Sequence, residues 1–391
     1  MSNEPVMLAL GEDYPELRES VRKICEKYPG AYWRKLEDEQ AYPTAFVAEL
    51  TEAGFLASLI PEEYGGSGLP LRAAAVILEE INASGCTASQ GHAQMYIMGT
   101  LLRHGSAEQK QRTLPAIARG ELRLQAFAVT EPTSGTDTTR ITTFARAEGD
   151  RYIVNGQKIW ISRAEHSDLM LLLARTAPRD DANPMRGMSV FLVDLREAVG
   201  RGLTIRPIRT MINHATTELF FDNLEIPREN LIGEQGQGFR TVVDSMNPER
   251  ILIAAECVGD GRFFIDRAAS YAIQRQVFGR AIGENQGVQF PIARAYVQVS
   301  AAAEMVAKAA ALFEAGAPCG TEANMAKLLA SEASWAAADM CLQIHGGMGF
   351  AEEFDIERKF RETRLYQIAP ISTNLILSYI ATHVLKLPKS F

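Results

Sequence analysis

The sequence is short of the features that would tie it to a metal, a membrane or a nucleic acid. Its 391 residues include only five cysteines, Cys25, Cys86, Cys257, Cys319 and Cys341. Their odd number and wide spacing, with no Cys-x-x-Cys pair and no matching histidine spacing, exclude a disulfide framework and a structural zinc site. They read as reduced thiols in a cytoplasmic protein. No apolar run approaches the length needed to cross a bilayer. The first residues, MSNEPVMLALGEDYPELRES, lack a basic stretch before an apolar core and are not arginine-rich, so no secretory or organellar presequence is expected. A formal net charge of -8 argues against a nucleic-acid surface. No G-x-G-x-x-G joins a strand to a helix and no Walker loop is present, which removes the Rossmann and P-loop routes to a nucleotide. The six histidines, His92, His104, His166, His214, His345 and His383, are dispersed and read as structural or exposed positions.

What is present is enough apolar sequence, 47% of the residues, for two or three packed domains. Residues 16–124 carry apolar side chains at three- and four-residue spacings, as in VAELTEAGFLASL and LRAAAVILEEINASG, broken by the turn signals of residues 60–70. After residue 125 the pattern alternates. ITTFARAEGDRYIVNGQKIWIS, DLMLLLART, MSVFLVDL, LTIRPI and TTELFFDNLEI read as short strands, and Asn155-Gly156 is a two-residue hairpin signal. Residues 177–186 form a polar, exposed loop. From about residue 236 long alanine-rich helical segments return. The expectation is an α+β chain of three domains: residues 1–124 helical, 125–235 an antiparallel β domain, and 236–391 a helical bundle.

Four fragments carry a resemblance: AVTEPTSGTD at 128–137, NGQKIWIS at 155–162, RQVFGR at 275–280 and QIHGGMGF at 343–350. In this order and spacing they resemble the flavin-dependent acyl-CoA dehydrogenases, over essentially the whole chain. The resemblance implies an N-terminal helical domain, a middle β domain and a C-terminal four-helix bundle. It also implies FAD as cofactor, an acyl-CoA substrate lying between the β domain and the helices, no metal, and an electron-transfer flavoprotein as redox partner. A homo-oligomer is expected, a dimer or a dimer of dimers, with a place in fatty acid metabolism. Its implied flavin contacts are Phe127, Val129, Thr130, Trp160, Ile161 and Ser162. Thr130 and Ser162 offer hydroxyl and backbone N–H groups to the polar edge of the ring, and Trp160 gives it a flat wall. Taken alone, Trp160 reads as a β-core aromatic.

Arg275 and Phe278, in a helix-ending turn closed by Gly279, are implied to reach the FAD of a neighbouring subunit. The arginine would pair there with pyrophosphate. Gln286, Gln343, Gly346 and Gly347 fit the same cross-subunit site, since glycine lets backbone approach a bulky ligand. Thr136, where the family usually has serine, keeps a hydroxyl for the CoA portion, and Arg250 is a further substrate contact.

The loop LYQIAPISTN, residues 365–374, is where most members of the family keep a catalytic glutamate, and the matching position is Pro370. Proline also lacks the backbone N–H that would polarise the thioester carbonyl there. Ser372 and Asn374 retain the polar character of the family's FAD contacts. A carboxylate is present instead in SMNPERIL, residues 245–252. Here Asn247 reads as an N-cap, Pro248 as the first helical residue and Glu249 as part of the first turn. A branch that includes the isovaleryl-CoA and long-chain dehydrogenases carries its base at this position, before the arginine that matches Arg250. By that resemblance Glu249 takes the α-proton while flavin N5 takes the β-hydride. Acidic residues also occur in first helical turns only to complement the helix dipole. The rivals are an enoyl-CoA reductase, a flavin oxidase or monooxygenase, and a flavin- or CoA-binding scaffold without catalysis.

Overall fold

The structure, a computed structural model, describes residues 14–389, so the first residues read above for a presequence lie partly outside it. Helices come first: α1 (Pro15–Cys25), α2 (Gly30–Glu39), α3 (Thr44–Glu52), α4 (Leu71–Ala83), α5 (Ser89–His104) and α6 (Ala107–Ala118). Strands follow: β1 (Leu124–Ala128), β2 (Phe144–Glu148), β3 (Arg151–Ser162), β4 (Leu169–Arg175) and β5 (Met188–Asp194). After a single turn of helix, α7 (Leu195–Ala198), come β6 (Leu203–Pro207), β7 (Thr216–Pro227) and β8 (Leu231–Ile232). The last section is α8 (Gly238–Gln274), the small pair β9 (Gln276–Val277) and β10 (Arg280–Ala281), then α9 (Gln286–Glu314), α10 (Gly320–His345), α11 (Ile356–Leu365) and α12 (Thr373–Tyr379). Among the described residues no helix is long and apolar enough to cross a membrane.

The described chain divides into two compact units, one made of residues 31–69 and 89–249, the other of residues 14–30, 70–88 and 250–389. In the first unit the sheet runs β6-β7-β3-β2-β4-β5-β8, with β1 parallel to β4. The reason lies in β4, whose LMLLLAR is buried at every position. Met170, Leu172 and Ala174 join one apolar cluster with Tyr152, Phe191 and Leu219. Leu169, Leu171 and Leu173 join the other, with Ile97 and Leu101 of α5 and Leu114 of α6. A strand covered on both faces needs a continuous apolar run rather than an alternating one. Met98 and Leu101 are fully buried in that second cluster, and Met95 is fully buried as well, so this methionine stripe is core. A capping box between Ser106 and Gln109 starts α6. The Gln109 amide donates to the carbonyls of Glu229 (2.7 Å) and Leu231 (2.8 Å), tying the helix to the sheet edge.

Two local expectations are corrected. The turn between β2 and β3 is Gly149-Asp150, not Asn155-Gly156. Asn155 and Gly156 lie inside β3 at a bulge, where Gly156 has φ 146° and a Cβ would stand 2.7 Å from the Thr143 backbone. The Asn155 side chain accepts from the Asn223 N–H at 2.9 Å, so this pair bends a strand rather than ending one. Likewise Asn247 is no N-cap and Pro248 no first residue: α8 begins at Gly238 and runs through them for 37 residues. Pro248 cannot donate to the carbonyl four residues back, but the flanking helix is held by packing on both sides of it. Glu249 is therefore a mid-helix residue, and the helix-dipole reading of it falls away.

In the second unit buried charges are matched to one another. Arg18 donates to Glu79 at 2.9 Å, Arg262 pairs with the same carboxylate, and Arg22 pairs with Glu80 at 2.9 Å. Lys359, fully buried, meets Asp260 at 2.6 Å and Glu362 at 2.8 Å. Burial pushes the Asp260 carboxyl up to about 8 in spite of that lysine. All five cysteines are buried and none is in a disulfide. Burial pushes the Cys341 thiol up to about 12 and raises Cys257 well above its ordinary range.

Gly259 is where α8 meets α4: a Cβ there would stand 2.2 Å from the Glu79 carbonyl oxygen. Gly259→Ala is expected to lower the thermal unfolding midpoint through a loss of about 1–3 kcal/mol, the usual cost of overpacking. Gly99→Ala, at a helix interior position where only the tip of Arg103 comes within 3.8 Å, is expected to raise it by up to about 1 kcal/mol. Equal effects at the two sites would contradict this packing.

Candidate active site

The first group of site residues is built where β1 ends beside the bulged half of β3. Lys158 is the fixed point. Its side chain is fully buried, and its ammonium donates to the Val129 carbonyl at 2.8 Å and to Glu131 Oε1 at 3.0 Å. The other acceptor sites of Glu131 take the Thr142 N–H (2.6 Å), the Thr142 hydroxyl (2.8 Å) and the Thr143 N–H (2.9 Å). Burial works to raise the Glu131 carboxyl, but Lys158 and the threonine donors outweigh it and hold the group at about 2. Burial also pushes Lys158 down to about 8 against the pull of Glu131. The next residue, Ile159, donates its N–H to the Thr130 carbonyl at 2.9 Å. The chain past β1 is thus pinned to β3.

Trp160 follows, at φ 63° and 58% exposed, within the register shift between Lys158 and Ile161. A left-handed backbone at a bulky residue is costly and needs a reason. Here it turns a flat aromatic face outward. Ile161 is buried, and the half-buried Ser162 accepts from the Asn213 amide at 2.7 Å, which leaves the serine proton for an acceptor elsewhere. Phe127, Val129 and Thr130 are half-buried and Thr136 is exposed. An outward aromatic wall bordered by hydroxyls suits a planar ring with a polar edge, so these residues fit an isoalloxazine.

Glu249 belongs to the same unit and is 2% exposed. Its Oε1 stands 3.8 Å from Nε2 of His92 on α5. The His92 ring meets the Tyr96 ring edge-on at 5.1 Å, and Tyr96 lies 6.5 Å from the ring of Phe127. Burial raises the Tyr96 phenol, the Glu249 carboxylate raises it further, and the Arg163 guanidinium opposes them. The register between α5 and α8 is held by the Thr100 hydroxyl, which donates to Ser245 Oγ at 2.8 Å. His92, Tyr96 and Arg163 were not singled out by sequence. The only signal was the four-residue spacing of His92 and Tyr96 on one helical face.

The remaining site residues lie in the other unit, in two groups. Arg275 follows the last turn of α8 and leads into the β9–β10 hairpin, whose turn is Phe278 (φ 53°) and Gly279 (φ 81°), rather than into a simple helix-ending turn. Its carbonyl accepts from Ile282 at 2.9 Å, which folds the hairpin back toward Gln286 at the start of α9. Tyr271 stacks on His345 at 4.2 Å, setting the end of α10, with Gln343, Gly346 and Gly347, against the last turns of α8. A Cβ on either glycine would meet nothing within 4 Å. The loop of Pro370 is anchored elsewhere: the buried Lys327 donates to the Ile371 carbonyl at 2.7 Å. Lys327 and Gln343 are separated by about 24 Å along α10 at 1.5 Å per residue. The Ala369-Pro370 bond is cis, Pro370 and Asn374 are exposed, and the Ser372 hydroxyl caps α12 by accepting from Leu375 at 3.3 Å. Arg250 is half-buried.

Glu131→Gln is expected to destabilise the protein by about 3–5 kcal/mol, because it leaves a buried ammonium without its carboxylate. The sign with pH follows from the depressed Glu131 carboxyl. Its stabilising contribution is present above its ordinary range near pH 4 and is lost as pH falls toward about 2. Chemical denaturation between pH 6 and pH 2.5 should show an acid-side loss that the variant lacks.

The chain matches three family profiles end to end: acyl-CoA dehydrogenase N-terminal domain over residues 11–121, middle domain over 126–224 and C-terminal domain over 236–385. It is 33% identical to acyl-CoA dehydrogenase FadE12 of Mycobacterium tuberculosis over 383 residues, covering 97% of this chain and 98% of that protein. It is also 33% identical to the 3-(aryl)acrylate reductase of Clostridium sporogenes, covering 95% of this chain and all of that one. The solved structure of glutaryl-coenzyme A dehydrogenase with glutaryl-CoA superposes with a TM-score of 0.91 at 31% identity, covering 98% of this chain and 97% of that one. N-terminal helices, a middle sheet and C-terminal helices are this family's fold, and the outward face of Trp160 suits its flavin: the chain belongs to the acyl-CoA dehydrogenases, FAD-dependent oxidoreductases.

Proposed function

We propose that the chain catalyses α,β-dehydrogenation of an acyl-CoA thioester to the trans-2-enoyl-CoA, with Glu249 as the base. The observation that carries this is the position of Glu249: a carboxylate 2% exposed, in the middle of a helix where no dipole or cap explains it. The loop that usually holds the family's glutamate has Pro370 in its place and no acid between Leu365 and Asn374. Such a base must sit close to the α-carbon, because a thioester α-proton is weakly acidic. When bound, FAD supplies the two-electron acceptor for the hydride that leaves the β-carbon. Trp160 would wall the ring, with Thr130 and Ser162 at its polar edge, Ile161, Val129 and Phe127 behind, and Thr136 on the CoA portion; Arg250, next to the base, is proposed as a substrate contact. Proline gives no N–H at 370, so the thioester carbonyl is polarised by another donor.

The assignment of Arg275, Phe278, Gln286, Gln343, Gly346 and Gly347 to the FAD of a neighbouring copy is supported by their separation along α10 from Ser372 and Asn374. Phe278 is fully exposed and Ile273 is 73% exposed, an apolar surface suited to a second copy of the chain. An electron-transfer flavoprotein is the proposed acceptor of the electrons. A reductive reading runs the same steps backward. It is favoured by the relative named as an acrylate reductase, and the active-site groups serve both directions.

The test is an anaerobic titration of the flavin absorbance with short, branched, long and aromatic acyl-CoAs. One class should bleach it. Glu249→Gln should slow that bleaching by about 100- to 10,000-fold while FAD stays bound. A variant that bleaches at the native rate would remove Glu249 from the role. A dithionite-reduced protein reoxidised rapidly by a 2-enoyl-CoA, with no acyl-CoA bleaching the oxidised form, would favour reduction.

A further inference from the structure

The carboxylate of Glu249 does not face an inert wall. His92 Nε2 stands 3.8 Å from its Oε1, and the two side chains are 6% and 2% exposed. At that range, with water excluded, each group's charge bears strongly on the other. Contacts of this kind are often long in a protein without ligand and tighten in the complex. Tyr96, on the same helix as His92, also bears on Glu249, and the Arg163 guanidinium acts on Tyr96 in turn. Tyr96 keeps its proton, since burial and the carboxylate both disfavour the phenolate. His92, whose Nε2 faces the carboxylate, is a group able to exchange a proton with the base.

We propose that His92 is a positioning residue for Glu249, holding the carboxylate and sharing the proton it removes. The inference rests on the reading of Glu249 as the base. The balance is simple. The Cα–H bond breaks and an O–H bond forms on Glu249, while the carbon's electron pair becomes part of the new double bond as the β-hydride departs to FAD. The proton then passes to His92 Nε2, and Glu249 is again a carboxylate, now opposite an imidazolium. A proton held by this pair is held more tightly than by a carboxylate alone, because an ordinary imidazole near 6.5 is more basic than an ordinary glutamate near 4.3. The two groups titrate as one unit, and the proton-free unit is the active base. It acts as a stronger base toward a weakly acidic α-carbon, and it needs a higher pH to be free of its proton.

Two measurements on the FAD-loaded protein test this. In the first, histidine-labelled protein is titrated by NMR, with the His92 signal assigned from His92→Gln. A neighbouring carboxylate favours the charged imidazole, so in Glu249→Gln the pH dependence of the His92 signal should move to lower pH. In the second, 3-oxobutyryl-CoA is the probe, an acidic thioester that loses its α-proton without being oxidised. Its enolate over oxidised flavin gives a long-wavelength charge-transfer band. The band should appear with a midpoint in the imidazole range in the native protein and at lower pH in His92→Gln, with native substrate bleaching slowed about tenfold from the looser carboxylate. An unmoved His92 midpoint in Glu249→Gln, or superimposable band profiles for native protein and His92→Gln, would overturn the proposal. The Glu249→Gln measurement does not depend on the folding of any His92 variant. Should Glu249→Gln still form the band and bleach at the native rate, the base assignment itself would fall, whatever the NMR shows.

Discussion

A lysine ammonium sealed inside a β-sheet is the constraint from which the flavin-side geometry follows. Lys158 has no water to turn to, so it must find anionic or carbonyl oxygen within reach, and Glu131 and Val129 are where it finds them. Those contacts draw the chain beyond β1 against β3. The backbone of β3 then has to change course, and it does so within two residues, at the shift that turns Trp160 outward. A neutral residue in place of Lys158 would leave Glu131 buried with only backbone and hydroxyl donors, and the segment carrying Thr130 would keep the Ile159 N–H bond but lose its ion pair. The apolar run of β4 provides the floor: with both faces covered, it fixes the plane on which the ion pair acts.

Burial alone does not decide what a carboxylate becomes. Glu131 and Glu249 are both nearly inaccessible, at 3% and 2% exposure. Glu131 accepts from a lysine, two backbone amides and a hydroxyl, which commits it to the ionised form and leaves it no capacity for chemistry. Glu249 stands 3.8 Å from the His92 imidazole, and its charge helps keep the Tyr96 phenol protonated. One environment is saturated with donors and is structural. The other offers no lysine or arginine in the contacts described above, the kind of setting the proposed base would use.

The order of helices, strands and helices could be read from periodicity, and family membership from four short fragments. The long apolar run DLMLLLART was legible as a strand because its length is right for one, although its burial on both faces was not. What misled was local grammar with two meanings. Asn155-Gly156 is suited to left-handed or open backbone, which a tight turn and a bulge both use. Asn247-Pro248 is an ordinary way to start a helix, but helix packing upstream carries α8 straight through it. At the site, Trp160 and Ser162 were visible because chemistry and neighbours coincide in one stretch. The approach of His92 to Glu249 was not, since it joins residues more than 150 positions apart and depends on how α5 packs against α8. No pattern within either segment encodes it.

The buried thiols of the chain have a use that their chemistry hides. A thiol reacts through its thiolate, and burial suppresses the thiolate at Cys257 and Cys341 while the surrounding packing excludes reagents. The native molecule is therefore silent toward electrophiles and oxidants at these positions, and modification proceeds only as fast as a segment opens. Cys25 and Cys86 sit on the part built from α1 and the end of α4, and Cys257, Cys319 and Cys341 on α8 and around α10, so mass spectrometry of alkylated peptides would time the breathing of each helix separately. Without a single introduced label, the protein already carries a set of clocks for its own local unfolding.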